Sequence, residues 1–177
     1  MTSAVSWRRQ PSRNCPILFT HRHKTIKWIT VHREMIESAQ LIAVLASGIW
    51  TGAAIYIGFV EHPSTMKVGH TFATEYFRHM SKRTAPLMMF LSALSGLTAC
   101  GIWWVSGSTA WFVGGSLQLS MFPLTAIFIV PINIKLIRID PLTEPGQNAE
   151  LHKKWGMLHR VRTVLGGMSF PLFTWLL

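Results

Sequence analysis

Three stretches of the chain, residues 39–60, 85–105 and 110–134, run without a charged side chain. A helix rising about 1.5 Å per residue crosses an apolar core of about 30 Å in about 20 residues, so each stretch predicts a membrane-spanning helix. A fourth apolar run, residues 164–177, is too short by itself. It reaches the needed length only if its helix begins near Leu158, which draws His159 and Arg162 to the membrane margin. The pattern predicts an all-α fold, an antiparallel bundle of four transmembrane helices spanning about 39–60, 85–105, 110–134 and 158–177.

The connections differ from one another. Residues 106–109 allow only a minimal turn, so the second and third helices should form a tight pair. Residues 61–84 place Met66, Ala73, Tyr76, Phe77 and Met80 at helical spacing among Lys67, Arg78, Lys82 and Arg83. That alternation predicts a short amphipathic helix at the membrane surface, between helices one and two. The last connection passes Pro141 and a Pro145-Gly146 turn before a helix resumes near Asn148. Pro123 and Pro131 should bend the third helix. Trp103, Trp104 and Trp111 bracket the short turn as interfacial aromatics do. Gly48 with Gly52, and Ser92 with Gly96 and Ala99, offer small faces for close helix contact.

Composition supports this picture. Hydrophobic residues make up 49% of the 177 and charged ones 14%, against about 25% charged in soluble domains. The 17 Lys and Arg outnumber the 7 Asp and Glu. No basic-aromatic module accompanies them, so the expected partner is a lipid bilayer and not a nucleic acid. In an up-down bundle the connections 61–84 and 135–163 share one side. They carry Lys67, Arg78, Lys82, Arg83, Lys135, Arg138, Lys153, Lys154, Arg160 and Arg162, while the opposite side, formed by the 106–109 turn and the C-terminus, carries no Lys or Arg. That asymmetry is a positive-inside pattern.

Residues 1–33 hold further Lys and Arg and no acid, on the wrong side for that pattern. Residues 1–34 are therefore expected to be a cleavable leader, a tail or a mispredicted start, with Met35 as an alternative beginning to a membrane domain of residues 35–177. A mitochondrial membrane follows if the leader is a transit peptide. The two cysteines, Cys15 and Cys100, fit neither a disulfide framework nor a zinc site.

Chain parity brings the end of helix one, the end of helix three and the start of helix four to the same membrane face. The candidate site residues lie there: Glu61 and His62 before Pro63, Asn133 near Pro131, and His159 and Arg162, which share a helical stripe with Trp155. Ionisable groups at the membrane margin are functional candidates. Each also has a plainer reading: a Glu61–Arg162 ion pair, a capping role for His62 or Asn133, a packed His159. His70, His79 and His152 read as solvated loop residues. No His-x-x-x-His pair is present, and no metal site is expected, with a metal or haem held by His62 and His159 as the alternative.

Three segments carry a resemblance: Ala53-Ala54-Ile55-Tyr56 through Val60-Glu61-His62-Pro63, Phe122-Pro123-Leu124-Thr125 through Val130-Pro131-Ile132-Asn133, and Trp155-Gly156-Met157-Leu158-His159-Arg160-Val161-Arg162-Thr163. Their order and spacing resemble the anthrone oxygenase-like family of small four-helix membrane proteins, over about residues 36–177. Most members have no assigned function, and some fungal ones oxidise an anthrone to an anthraquinone with molecular oxygen.

The resemblance implies an oxidoreductase, a monooxygenase acting on a lipophilic aromatic small molecule and O2. His62 or His159 would be the general base that makes a substrate carbanion. Asn133 and Arg162 would stabilise the developing negative charge. Glu61 would orient an imidazole or neutralise Arg162. No Gly-x-Gly-x-x-Gly fingerprint opens a helix, so no flavin or nicotinamide cofactor is expected. The competing reading is a non-enzymatic membrane scaffold, subunit or lipid-binding protein whose polar cluster only joins helices. A cavity large enough for a tricyclic ligand beside His159 and Arg162 favours the enzyme, and a fully self-paired network that leaves no cavity favours the scaffold.

Overall fold

The computed structural model describes residues 16–142 and 144–177, with side chains from residue 31 onward. Residues 1–15, with Cys15 and the start of the expected leader, lie outside the described residues. The chain divides into two compact units, Met1–Met35 and Ile36–Leu177, and the contacts, cavities and sites described below are those of the second. Every regular element among the described residues is helical. In chain order they are α1 (Pro16–Tyr56), a π-helical turn (Ile57–Glu61), α2 (His62–Val68), α3 (His70–Ser106), α4 (Thr109–Leu119), α5 (Met121–Leu124), a second π-helical turn (Thr125–Ile129), α6 (Val130–Arg138), α7 (Pro145–Gly167) and α8 (Ser169–Trp175).

Three helical stretches, Val31–Val68, His70–Ser106 and Thr109–Arg138, are long and apolar enough to cross a membrane. The last stretch of chain is not among them. Its helix α7 carries Lys153, Lys154, Arg160 and Arg162, and its apolar continuation α8 has only 7 residues. The first connection also differs from expectation. Residues 70–84 are the opening turns of α3 itself, set off from α2 only at Gly69, whose φ of 139° suits glycine alone. Pro145 begins α7 instead of sitting in a turn, because its missing N–H costs nothing at a helix start.

Both π turns precede a proline. Pro63 and Pro131 have no N–H to offer and their rings crowd the preceding turn. The chain shifts to wider bonding just upstream: the His62 N–H reaches the Ile57 carbonyl, and the Val130 N–H reaches that of Thr125. At Pro131, where a bend is expected, the chain forms a π segment, a common response where a helix must absorb an irregularity.

Glycine sets how closely the helices approach. A Cβ on Gly96 would stand 2.7 Å from Leu119 Cγ and 3.1 Å from the Gly115 carbonyl oxygen, so α3 and α4 meet nearly backbone to backbone. They are joined through Gly107, which caps α3 with φ 72° and donates its N–H to the Trp103 carbonyl at 2.7 Å. Trp111 packs inside the bundle. It is buried and stacks on Phe173 with ring centroids 4.9 Å apart, while Trp104 is exposed.

These contacts predict opposite outcomes for two glycines. Gly96→Val should destabilise the fold by about 1–3 kcal/mol through overpacking. A Cβ added to Gly52 would meet no other atom within 4 Å, so Gly52→Ala should be neutral or stabilising by up to about 1 kcal/mol. Thermal unfolding of the two variants in detergent checks the pair.

Candidate functional site

The site is built on one face of α7. Asn148, His152, Trp155, His159, Arg162 and Gly166 recur at alternating spacings of four and three, which keeps them in line along the helix. All six are buried. A polar stripe buried this way must find partners inside the bundle or leave groups unsatisfied.

Arg162 is 8% exposed. Its Nη2 donates to Nδ1 of His159 at 3.1 Å, and its Cζ lies 5.8 Å from the centre of the Trp50 ring. Its Nε has no protein partner. Elsewhere, ion pairs join Glu75 to Arg78 and His79, and Glu150 to Lys154. The Glu61–Arg162 pair allowed by chain parity is not formed. A buried guanidinium here rests on an imidazole and an indole face, without a carboxylate.

His159 is 1% exposed, and both of its ring nitrogens are engaged. Nε2 lies 3.0 Å from the Ala54 carbonyl oxygen, which can only accept. Nδ1 faces a guanidinium N–H, which can only donate. The two contacts together fix a neutral ring with its proton on Nε2. Trp155 stacks on this ring, 4.9 Å between centroids and 11° between planes. On its other edge the indole Nε1 donates to Oδ1 of Asn133 at 2.9 Å, leaving the Asn133 NH2 group for another acceptor.

Asn133, Trp155, His159 and Arg162 line a mainly apolar cavity, together with Met80, Met88 and Met89. The room for the centres of water-sized molecules is about 40 Å³. Ser81 Oγ and Thr125 Oγ1, also on the lining, have no protein hydrogen-bond partner. The network is therefore not closed on itself. The lining of an apolar cavity presents a guanidinium, an amide NH2 and two hydroxyls.

Glu61 and His62 stand in a separate, smaller chamber, with Thr65, Tyr76 and His152. Trp155, Phe77 and Met80 line both spaces and so form the partition. The five residues expected at one pocket are thus split: Asn133, His159 and Arg162 on one side, Glu61 and His62 on the other. Among the described residues no group of three or more His, Cys, Asp or Glu could hold a metal ion.

The expectation for His152 needs correction. It is not a solvated loop residue but is 1% exposed, with Nε2 3.0 Å from the Thr74 hydroxyl. Thr74 in turn lies 2.7 Å from Asn148 Oδ1, and Asn148 Nδ2 donates to the His70 carbonyl at 3.3 Å. His70 and His79 are exposed, as expected. His152 and Asn148 could have been found by continuing the Trp155–His159–Arg162 stripe two turns toward the N-terminus.

Burial, with smaller contributions from the charges of His62 and His70, pushes the His152 imidazole down to about 4 from its ordinary 6.5. The unfolded chain therefore takes up this proton at a higher pH than the folded one. The stability contributed by neutral His152 is complete above about pH 6.5 and is lost as the pH falls toward about 4. His152→Gln should flatten this part of the stability profile. Unfolding midpoints of wild type and variant, measured from neutral pH to about pH 5, test it; parallel profiles would remove His152 as the source.

No curated protein and no solved structure matches the chain. A family model described as anthrone oxygenase matches residues 75–172, more than half of the chain. The matched stretch contains Asn133 and the entire α7 stripe from Asn148 to Gly166, while Glu61 and His62 fall outside it. With its all-helical fold, its apolar spans and this match, the chain belongs to the anthrone oxygenase family.

Proposed function

We propose that the protein is a multi-pass membrane oxygenase that takes a lipophilic aromatic substrate of the anthrone type into the cavity beside Arg162 and oxidises it with O2. The observation that carries this reading is the buried guanidinium without a carboxylate, lining an apolar cavity next to the free NH2 group of Asn133. Such a cavity suits an aromatic body with one oxygen that becomes anionic. The charge would be stabilised more strongly as it develops than in the neutral substrate, which is the condition for catalysis.

The chemistry is cofactor-free. A base removes a proton from the methylene carbon of the anthrone, leaving a carbanion whose charge is delocalised onto the ring oxygen. O2 adds to that carbon, and loss of water leaves a second carbonyl, so one anthrone and one O2 give one quinone and one water. Arg162 and Asn133 hold the anionic oxygen. When Nη2 of Arg162 turns to that oxygen, the Nδ1 lone pair of His159 is released and can serve as the base. His62 and Glu61 stand behind the Trp155 partition, as a further base and its counter-charge. The room for water-sized molecules is narrow for a tricyclic ring, and widening falls to Met80, Met88 and Met89, whose unbranched side chains repack readily.

In this reading the helical segments cross the bilayer four times in antiparallel order, α7 and α8 completing the fourth span. The opening turns of α3 lie at the basic membrane face. A second reading, a lipid-binding scaffold, has one observation in its favour. A broad groove lined by Lys135, Arg138, Ile139 and Leu151 joins basic and apolar walls, as an anionic headgroup and its chains require.

Oxygen uptake by the purified protein with a panel of anthrones separates the two. The oxygenase reading expects substrate-dependent uptake, reduced about 100-fold or more in Arg162→Ala and about 10-fold or more in Asn133→Ala. Equal rates in wild type and both variants would eliminate the site. No uptake with any substrate, together with retention of anionic lipid that Lys135→Ala weakens, would favour the scaffold.

A further inference from the structure

The smaller chamber contains three buried polar atoms without a protein partner: Oε1 of Glu61, Nε2 of His62 and Nδ1 of His152. Their hydrogen-bonding roles can be assigned. Asn148 Nδ2 is turned to the His70 carbonyl, so Asn148 Oδ1 is the atom facing Thr74. The one hydrogen of the Thr74 hydroxyl goes to Asn148 Oδ1 at 2.7 Å or to the His70 carbonyl at 3.0 Å, both of which can only accept. It can then only accept from His152, which places the His152 proton on Nε2 and leaves Nδ1 as a bare acceptor. Glu61 Oε1 is likewise an acceptor when ionised. The rings of His62 and His152 are 6.0 Å apart, and the space between the chamber walls for water-sized molecules is about 10 Å³. That is about the room one water needs.

We propose that this chamber is a proton-binding site in which one buried water joins Glu61, His62 and His152. His62 hydrogen-bonds the His152 backbone carbonyl through Nδ1–H, so in the neutral ring Nε2 is a third acceptor. The water donates its two hydrogens among Glu61 Oε1, His152 Nδ1 and His62 Nε2. One water has two hydrogens for these three acceptors, so the chamber is one hydrogen short until a proton joins Nε2 of His62, which then donates to the water. The alternative, three dry and unpaired polar groups, would leave each of them desolvated with nothing in return.

The arrangement can also take up a proton. An added proton resides on an imidazole nitrogen, is shared with the other through the water, and has the Glu61 carboxylate as its counter-charge. Release is the reverse, with no bond to carbon formed or broken. The groups that face the cluster are Glu61 and His62 at the end of helix one, His70 and Tyr76 on α3, and Arg160 with His152 on α7. Gly156 permits the geometry, since a Cβ there would stand 2.8 Å from Cε1 of His62. The site stands on its own contacts and holds whether or not the larger cavity oxidises an anthrone.

The test uses the full chain in lipid nanodiscs with 15N-labelled histidine and long-range 1H–15N spectra followed over pH. In the wild type, His152 should appear as the Nε2–H tautomer, and His62 should gain an Nε2–H as the pH falls, with magnetisation transfer to it from a long-lived bound water. In His62→Gln, which removes the competing imidazole, the His152 midpoint should rise by about half a pH unit or more. An Nδ1–H tautomer at His152, no water transfer at His62, or a His152 midpoint unmoved in the variant would each overturn the proposal. The first two readouts need only the wild type, so they decide the matter even if His62→Gln does not fold.

Discussion

The guanidinium of Arg162 is buried in the bundle with no carboxylate to balance it, and the packing around it follows from that condition. A charge removed from water needs either a counter-ion or a set of oriented dipoles and polarisable faces. Here the second solution is built from side chains and backbone of α1 and α7. Trp50 of α1 supplies an aromatic face, and it can do so because α7 has glycine at 166, where a Cβ would stand 2.5 Å from the indole Cη2. His159 supplies a lone pair and is held by the Ala54 carbonyl. Its ring fits against helix one because residue 58 is glycine. The same device recurs at Gly156, which admits the ring of His62. Glycines that would look like generic small-residue packing are each placed opposite a ring that belongs to the polar stripe or touches it.

The prolines do related work on the backbone. Pro63 and Pro131 each remove an N–H from a long helix, and each is preceded by a π turn that rearranges the local carbonyls. Both turns pack against α7. The first leads directly into Glu61 and His62, and the second carries Thr125 and Ile129 on the cavity lining and is followed by Asn133. Irregular backbone within a membrane-length helix is tolerable where protein surrounds it. The two places where helices depart from regular bonding are therefore also the places that deliver polar side chains to the α7 stripe.

Much of this was legible from charge-free run lengths and helical spacing. The three long apolar stretches, the tight turn after Ser106 and the gathering of Asn133, His159 and Arg162 all follow from those two patterns. What was not legible has physical causes. Chain parity says which helix ends meet but not which side of a helix each residue faces, so it could not separate Glu61 from Arg162. His152 and Asn148 were hidden by the adjacent Lys153 and Lys154, which make the segment look solvated although its inward stripe continues unbroken. Trp111 sits at a helix start, and its partner Phe173, distant in sequence, draws it inward.

The division of the site by Trp155 is the feature that sequence could least supply, and it changes how the residues work together. The indole stacks on His159, donates to Asn133 and lies 5.2 Å from the ring of His62, so one side chain positions groups on both of its sides. On the cavity side a guanidinium and an amide NH2, which can only donate, stand beside two hydroxyls, which can do either. On the chamber side there are acceptors, a carboxylate oxygen and two imidazole lone pairs. Placed in one undivided pocket, these sets would pair with each other, Glu61 with Arg162 first, and neither would remain available. An aromatic wall between them keeps the cation unneutralised and the acceptors unfilled. The separation costs the stability an internal ion pair could have given, and it leaves both sets of groups free for molecules other than the protein itself.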